Sequence, residues 1–333
     1  DRVFKCAKYT MASDLKCLSG DLPSASELIA GISPAIVTCL CIAGCVLLTT
    51  ITIFWTQVRY LLEVTPKPYK SRTVTLCAIY QIVSVVYFIA MIIPRFFLLA
   101  EMIAVLTFGF AAYQVTCLII DYAGGETNFI KTAGDNALNM RVPPFCLFYG
   151  CLRNGEPVTK VKFLGIRILV GQFVVVQGVL NIMMNAIYVD DPNFYNSVRF
   201  YFIPFVIISL VCCIWGLNMI TRMVAPHFPY YKIVQKYFCV QFVLLMCKIQ
   251  PTIADMVVSN VNFPCTYPLT PHVYKNVVVN LVILIQMLFL SIWAIKLYRK
   301  PLKKPQVHTV YRTMSITASN ISVNTVNTTV DYM

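Results

Sequence analysis

Charge is what this 333-residue chain has least of: Asp, Glu, Lys and Arg make up 12% of it, where soluble domains carry about 25%. Histidine is rarer still, with only His227, His272 and His308. These fall in different loops on opposite sides, so no zinc site of a membrane hydrolase can converge from them. The chain lacks a Gly-x-Ser-x-Gly elbow, a phosphate-binding loop and a Cys-x-x-Cys pair. Those absences speak against an enzyme and imply neither metal nor cofactor. Missing too is the roughly 10-residue polar/apolar alternation of a membrane β-barrel. No basic segment followed by a short apolar core and cleavage site opens the chain, so the first apolar run is expected to direct insertion itself.

What is present is apolar. Hydrophobic residues reach 58% and mean hydropathy is +0.71, too greasy to cover a globule's surface and suited to lipid as solvent. Seven runs of about 20 residues or more can cross a bilayer, at approximately 36–57, 73–94, 97–120, 164–188, 200–221, 237–259 and 276–297. Backbone in lipid must satisfy its own hydrogen bonds, so each run is expected to be a helix. The expected fold is an all-α, seven-transmembrane helix bundle.

The basic residues orient it. One set of loops and the C-terminal tail hold 18 Lys and Arg, the opposite set 7, which predicts an outside N-terminus and a cytosolic C-terminus. Residues 1–32 then form an extracellular tail, 33–299 the membrane body and 300–333 a cytosolic, disordered tail. The net charge of +13 reads as topology and attraction to anionic lipid, not as a nucleic-acid surface. Ser24 and Glu27 have capping-box spacing, predicting a helix before the first span.

Of 14 cysteines, those inside spans behave as small hydrophobes. Cys6, Cys17 and Cys265 fall on the oxidising side, where Cys6–Cys17 and Cys17–Cys265 are both open as disulfides. Cys146 and Cys151, behind Pro143-Pro144 in the third loop, are candidates for acylation.

An ionisable residue within a span marks a functional site by default. In the sixth span Gln241, Lys248, Thr252, Asp255 and Ser259 recur at helical spacing on one face, beside Gln250 and Pro251. Lys248 and Asp255 are about 10 Å apart along the axis, too far for a direct pair, so each needs a partner on another helix or water. This face is a candidate substrate path, with a structural polar seam as the alternative. Pro251 frees a carbonyl that Gln250 is placed to satisfy, and Pro204 breaks the fifth span's ladder the same way. The amides Gln177, Asn181 and Asn185, and Asn276, Asn280 and Gln286, read as helix-to-helix glue. Glu101 opens the third span where the helix dipole favours an acid. Asp121 closes that helix in "DYAGGE", where the dipole repels one, so a cation must offset it, and it reads as an inner gate or an ion-paired anchor. Gly124 and Gly125 explain the stop and Glu126 follows.

The stretches "IPRFFLLAEM" (93–102, with Arg95 and Glu101), "DYAGGE" (121–126), the Pro/Cys loop (143–151) and "QPTI" (250–253), in that order, resemble the organic solute transporter alpha subunit family. The resemblance covers roughly residues 50–299. It implies a facilitative plasma-membrane carrier of bile acids, conjugated steroids and similar amphipathic organic anions, paired with a small single-pass beta subunit and acylated in its third loop. A homo-oligomer is left open. The rivals are a seven-helix receptor and a non-transporting scaffold of the same superfamily. Against the receptor, "DYAGGE" lacks Arg, and residues 277–297 contain no Pro.

Overall fold

The computed structural model describes residues 23–31, 33–134, 158–260 and 269–299. Among them the chain forms nine α-helices: α1 (Ala25–Ala30), α2 (Pro34–Val64), α3 (Lys67–Ile92), α4 (Phe97–Tyr122), α5 (Glu126–Gly134), α6 (Lys160–Asp190), α7 (Pro192–Val224), α8 (Ile233–Asn260) and α9 (Pro271–Tyr298). Seven of these, α2, α3, α4, α6, α7, α8 and α9, are long and apolar enough to cross a membrane. The protein is a seven-span membrane bundle. The helices run past the expected spans, to 31 residues in α2 and α6 and 33 in α7. At about 1.5 Å per residue that exceeds a hydrocarbon core of roughly 30 Å, so the ends reach into the headgroup layers.

Local sequence sets the helix starts. Ser24 and Glu27 form the reciprocal capping box expected of them, with the Ser24 amide donating to Glu27 Oε2 at 2.8 Å. Ser33, Thr159 and Thr270 cap α2, α6 and α9, each accepting from a first-turn amide. Proline enters at the first turn of α2, α3 and α9, where its missing N–H leaves no carbonyl unpaired.

α4 is the most deeply buried span and α2 the least. α4 packs on α3, α6, α7 and α8, whereas α9 packs on α2, α3 and α8. α6 and α7 form the most extensive pair, while α7 and α8 touch only lightly. Leu48, Val175, Val179, Phe205, Ile208 and Phe289 are exposed around the outside, an apolar surface that lipid rather than water would cover.

The amides do join helices. Gln172 Nε2 donates to Ser209 O and Gln172 Oε1 accepts from Ser209 Oγ, both at 3.1 Å, and Gln177 Nε2 donates to Val206 O at 3.0 Å, binding α6 to α7. Asn181 and Asn185 each donate one turn back, to Gln177 O and Asn181 O. Asn276 Nδ2 reaches Ala90 O on α3 at 2.9 Å and its own Oδ1 accepts from Asn280. Gln286 differs: its side-chain oxygen is buried without a partner among the described residues.

One approach is too close for any side chain. A Cβ on Gly109 of α4 would lie 2.7 Å from Phe173 Cδ1 and 2.9 Å from Val174 Cγ2 of α6. Overpacking of this kind costs about 1–3 kcal/mol. Gly109→Val should therefore lower the melting temperature of the purified chain, while Gly171→Val, whose Cβ meets nothing within 4 Å, should not. Equal melting curves would contradict the close packing of α4 on α6.

Candidate functional site

The deepest helix, α4, carries an acid near each end. At its C-terminal end Asp121 accepts an ion pair from Arg72 of α3, Nη1 to Oδ2 at 3.1 Å. This is the cation that the helix dipole demands at that position. The Tyr69 hydroxyl adds a long 3.4 Å hydrogen bond to the Asp121 carbonyl. The helix stops because Gly124 and Gly125 take φ of +83° and +101°, open only to residues without a Cβ clash. The Gly125 amide turns back to Ile120 O at 3.0 Å, the six-to-one closure of a Schellman stop. Asp121 is thus an anchor between α3 and α4.

Glu126 then starts α5, a short helix that was not apparent in the sequence. Phe129 on α5 is fully buried against Phe163 of α6, ring centroids 4.7 Å apart. Glu126 itself pairs with Arg167 of α6 at 3.3 Å, and the same guanidinium donates to Tyr113 Oη at 3.5 Å. With Glu126 half-exposed, this pair adds little stability.

At the other end of the bundle Glu101 does more than satisfy the dipole. It accepts from Lys248 Nζ of α8 at 2.5 Å. Lys248 lies twelve residues from the last residue of α8, about 18 Å along the helix, well inside the bundle. Asp255 pairs instead with Lys275 of α9, also at 2.5 Å. Glu101 and Asp255 both lie within electrostatic reach of Tyr195 on α7. Arg95 is exposed in the 3-10 turn Pro94–Phe96 between α3 and α4.

The polar face of α8 therefore divides. Lys248 turns to α4 and Asp255 to α9, while Thr252 is exposed and bonds back to Lys248 O at 2.8 Å. Gln241 is half-buried, its side-chain oxygen unpartnered among the described residues. Gln250 donates to Met246 Sδ at 3.3 Å and its oxygen has no partner among the described residues. It does not take up the carbonyl that Pro251 frees, as its position next to the proline had implied. Thr252 and Asp255 lie on the surface of the bundle, so the stripe does not line a single enclosed path.

A further cation went unnoticed in the sequence because it counted as a loop charge. α8 begins at Ile233, which draws Lys236 into the bundle, where it is 5% exposed. Its Nζ donates to Tyr122 Oη at 2.7 Å and lies 4.6 Å and 5.0 Å from the ring centroids of Tyr122 and Tyr298. Tyr122 is in turn stacked on Tyr231, 4.4 Å apart and 3° from parallel, and tilts against Tyr69 at 5.2 Å. The clue was the run "PHFPYYK", whose Tyr231 stacks on the ring that receives the amine.

The described residues contain no group of three or more His, Cys, Asp and Glu able to hold a metal ion. Cys6, Cys17, Cys146, Cys151 and Cys265 lie outside the described residues, as do the segments 1–22 and 300–333.

Residues 38–303 match the family described as Organic solute transporter Ostalpha. The chain belongs to that family. It is 28% identical over 281 residues to the Organic solute transporter alpha-like protein of Drosophila melanogaster, covering 84% of this chain and 85% of the relative. Identity to the Organic solute transporter subunit alpha is 24% over 290 residues in Homo sapiens, covering 83% and 82%, and 20% over 261 residues in Danio rerio, covering 76% and 80%. No solved structure matches significantly. Membership of this family makes the chain a multi-pass organic solute transporter protein.

The anchor is testable without any substrate. Arg72→Ala should destabilise the chain by leaving Asp121 uncompensated at a helix C-terminus, and adding Asp121→Asn should recover most of the loss, a coupling of about 0.5–3 kcal/mol. Additive falls in melting temperature would show that the pair contributes nothing.

Proposed function

We propose that the chain is the alpha subunit of a facilitative plasma-membrane carrier for amphipathic organic anions, such as bile acids and conjugated steroids, working with a small single-pass beta subunit. The word "subunit" in the names of the human and zebrafish relatives supports the partnership. The charge bias of the loops supports an outside N-terminus, with the Glu101 end of the bundle outward.

The observation that carries the reading is the Lys248–Glu101 pair. An organic anion crossing the apolar core needs a local cation, since an uncompensated charge at the bilayer centre is expensive. Lys248 supplies one. Its present counterion is a partly exposed carboxylate, with side-chain exposures of 24% for Lys248 and 41% for Glu101. A substrate sulfate or carboxylate can therefore exchange with Glu101 without either group first being unburied. The light contact between α7 and α8 leaves a side where a large apolar body can enter from the membrane. Pro251, three residues beyond Lys248, and Pro204 in α7 interrupt the helical ladders flanking that side. They give it the freedom to bend.

The test is flux of a radiolabelled steroid sulfate in cells, with and without a beta subunit. Replacing Lys248 by Ala should cut uptake by about tenfold or more, the equivalent of one charge-assisted contact, at unchanged surface expression. Unaltered uptake would remove Lys248 from the mechanism. Ligand-evoked G-protein signalling without flux would favour a receptor instead.

A further inference from the structure

Lys248, Arg72, Arg167 and Lys275 each face a carboxylate from another helix. Lys236 is more deeply buried than any of them, and no described carboxylate lies within ion-pair distance of it. Asp121, next along from Tyr122, is already committed to Arg72. Of the three ammonium protons, one goes to Tyr122 Oη, and the described residues offer no acceptor for the other two. The faces of Tyr122 and Tyr298 partly replace water around the charge. They cannot serve as its counterion.

The space beside the amine has the character of an anion site. Lys232, Lys236, Tyr122, Tyr231, Thr73 and Tyr298 are among its lining residues. It lies at the start of the 28-residue α8. There the first-turn amides have no intrahelical acceptor and the helix dipole favours negative charge. Two lysines and four tyrosines converge with no acid among the cavity's lining. From this geometry we propose that the Tyr-caged Lys236 is an anion subsite at the Asp121 end of the bundle, taking a compact sulfate, carboxylate or phosphate head group. The inference rests on the carrier reading above and adds a second station to it, remote from Lys248.

In the present conformation the subsite is shut. Its cavity of about 10 Å³ has room for about one water, not for a sulfate. The lid is Tyr231, which lies flat on Tyr122 and ends the 3-10 turn Pro229–Tyr231. Lys232 follows with φ of +49°, a left-handed residue at which the turn joins α8. Lifting the Tyr231 ring from Tyr122 would uncover the amine while leaving the helices in place.

The experiment is equilibrium binding of a radiolabelled steroid sulfate, and of the parent uncharged steroid, to the full chain in nanodiscs of phosphatidylcholine. It is run on the wild-type chain and on Lys248→Ala, so that the first cation does not mask the second. In both backgrounds Lys236→Met should weaken the sulfate by about tenfold or more and leave the uncharged steroid alone. Lys236→Arg should restore most of the affinity, which a purely structural role for the lysine would not require. Sulfate binding unchanged in Lys236→Met, or absent from the wild-type chain, overturns the subsite. Repeating the measurement with phosphatidylserine in the disc separates the sources of the anion. Competition that disappears in Lys236→Met assigns the site to a lipid head group, and no competition assigns it to the solute. Binding that depends on Lys236 in a chain without flux would preserve the subsite and sink the carrier. Flux with Lys236-independent binding would do the reverse.

Discussion

A charged side chain inside a membrane bundle persists only beside something of opposite sign, because lipid offers neither water nor mobile counterions in its core. That constraint organises this protein. Four ion pairs, Arg72–Asp121, Lys248–Glu101, Lys275–Asp255 and Arg167–Glu126, each join two different helices. Two of them start from α4, the most buried span, one near each end. The arrangement fixes α3 and α8 to the same central helix through opposite ends. Lys236 breaks the pattern and uses aromatic faces where the other cations use carboxylates.

The fold was legible because lipid leaves the backbone few options. Seven apolar runs could only be helices, and the structure has seven helices of that kind. Amide stripes on α6 and α9 were legible for the same reason, since a polar side chain in a span must bond to something, and Gln177 and Asn276 do bond to neighbouring helices. The short α5 escaped notice because it is too short and too polar to register as a span. Its one buried anchor, Phe129, has meaning only once α6 is alongside.

Of the candidate site, the sequence revealed needs more readily than partners. Asp121 plainly required a cation, yet nothing in the chain singled out Arg72 from the other basic residues. Lys248 and Asp255 share a helical face, but α4 and α9 approach α8 from different sides and draw them apart. Pro251 implied that Gln250 would donate to the freed carbonyl, but its amide donates to the thioether of Met246 instead. Lys236 was missed because a helix start is uncertain by a few residues, and four residues here separate a loop charge from a buried one.

The two lysines suggest how a bundle with so little charge can handle an amphipathic anion. In the proposed reading, Lys248 offers a cation whose counterion is partly exposed, and Lys236 one with no carboxylate partner among the described residues. The most direct measurement is an experimental structure of the full chain, with the proposed beta subunit, bound to a steroid sulfate. This account predicts the sulfate within hydrogen-bond distance of Lys248 with Glu101 displaced, or of Lys236 with Tyr231 lifted from Tyr122. A bound sulfate touching neither lysine, with the Glu101 pair and the tyrosine stack both intact, would contradict it.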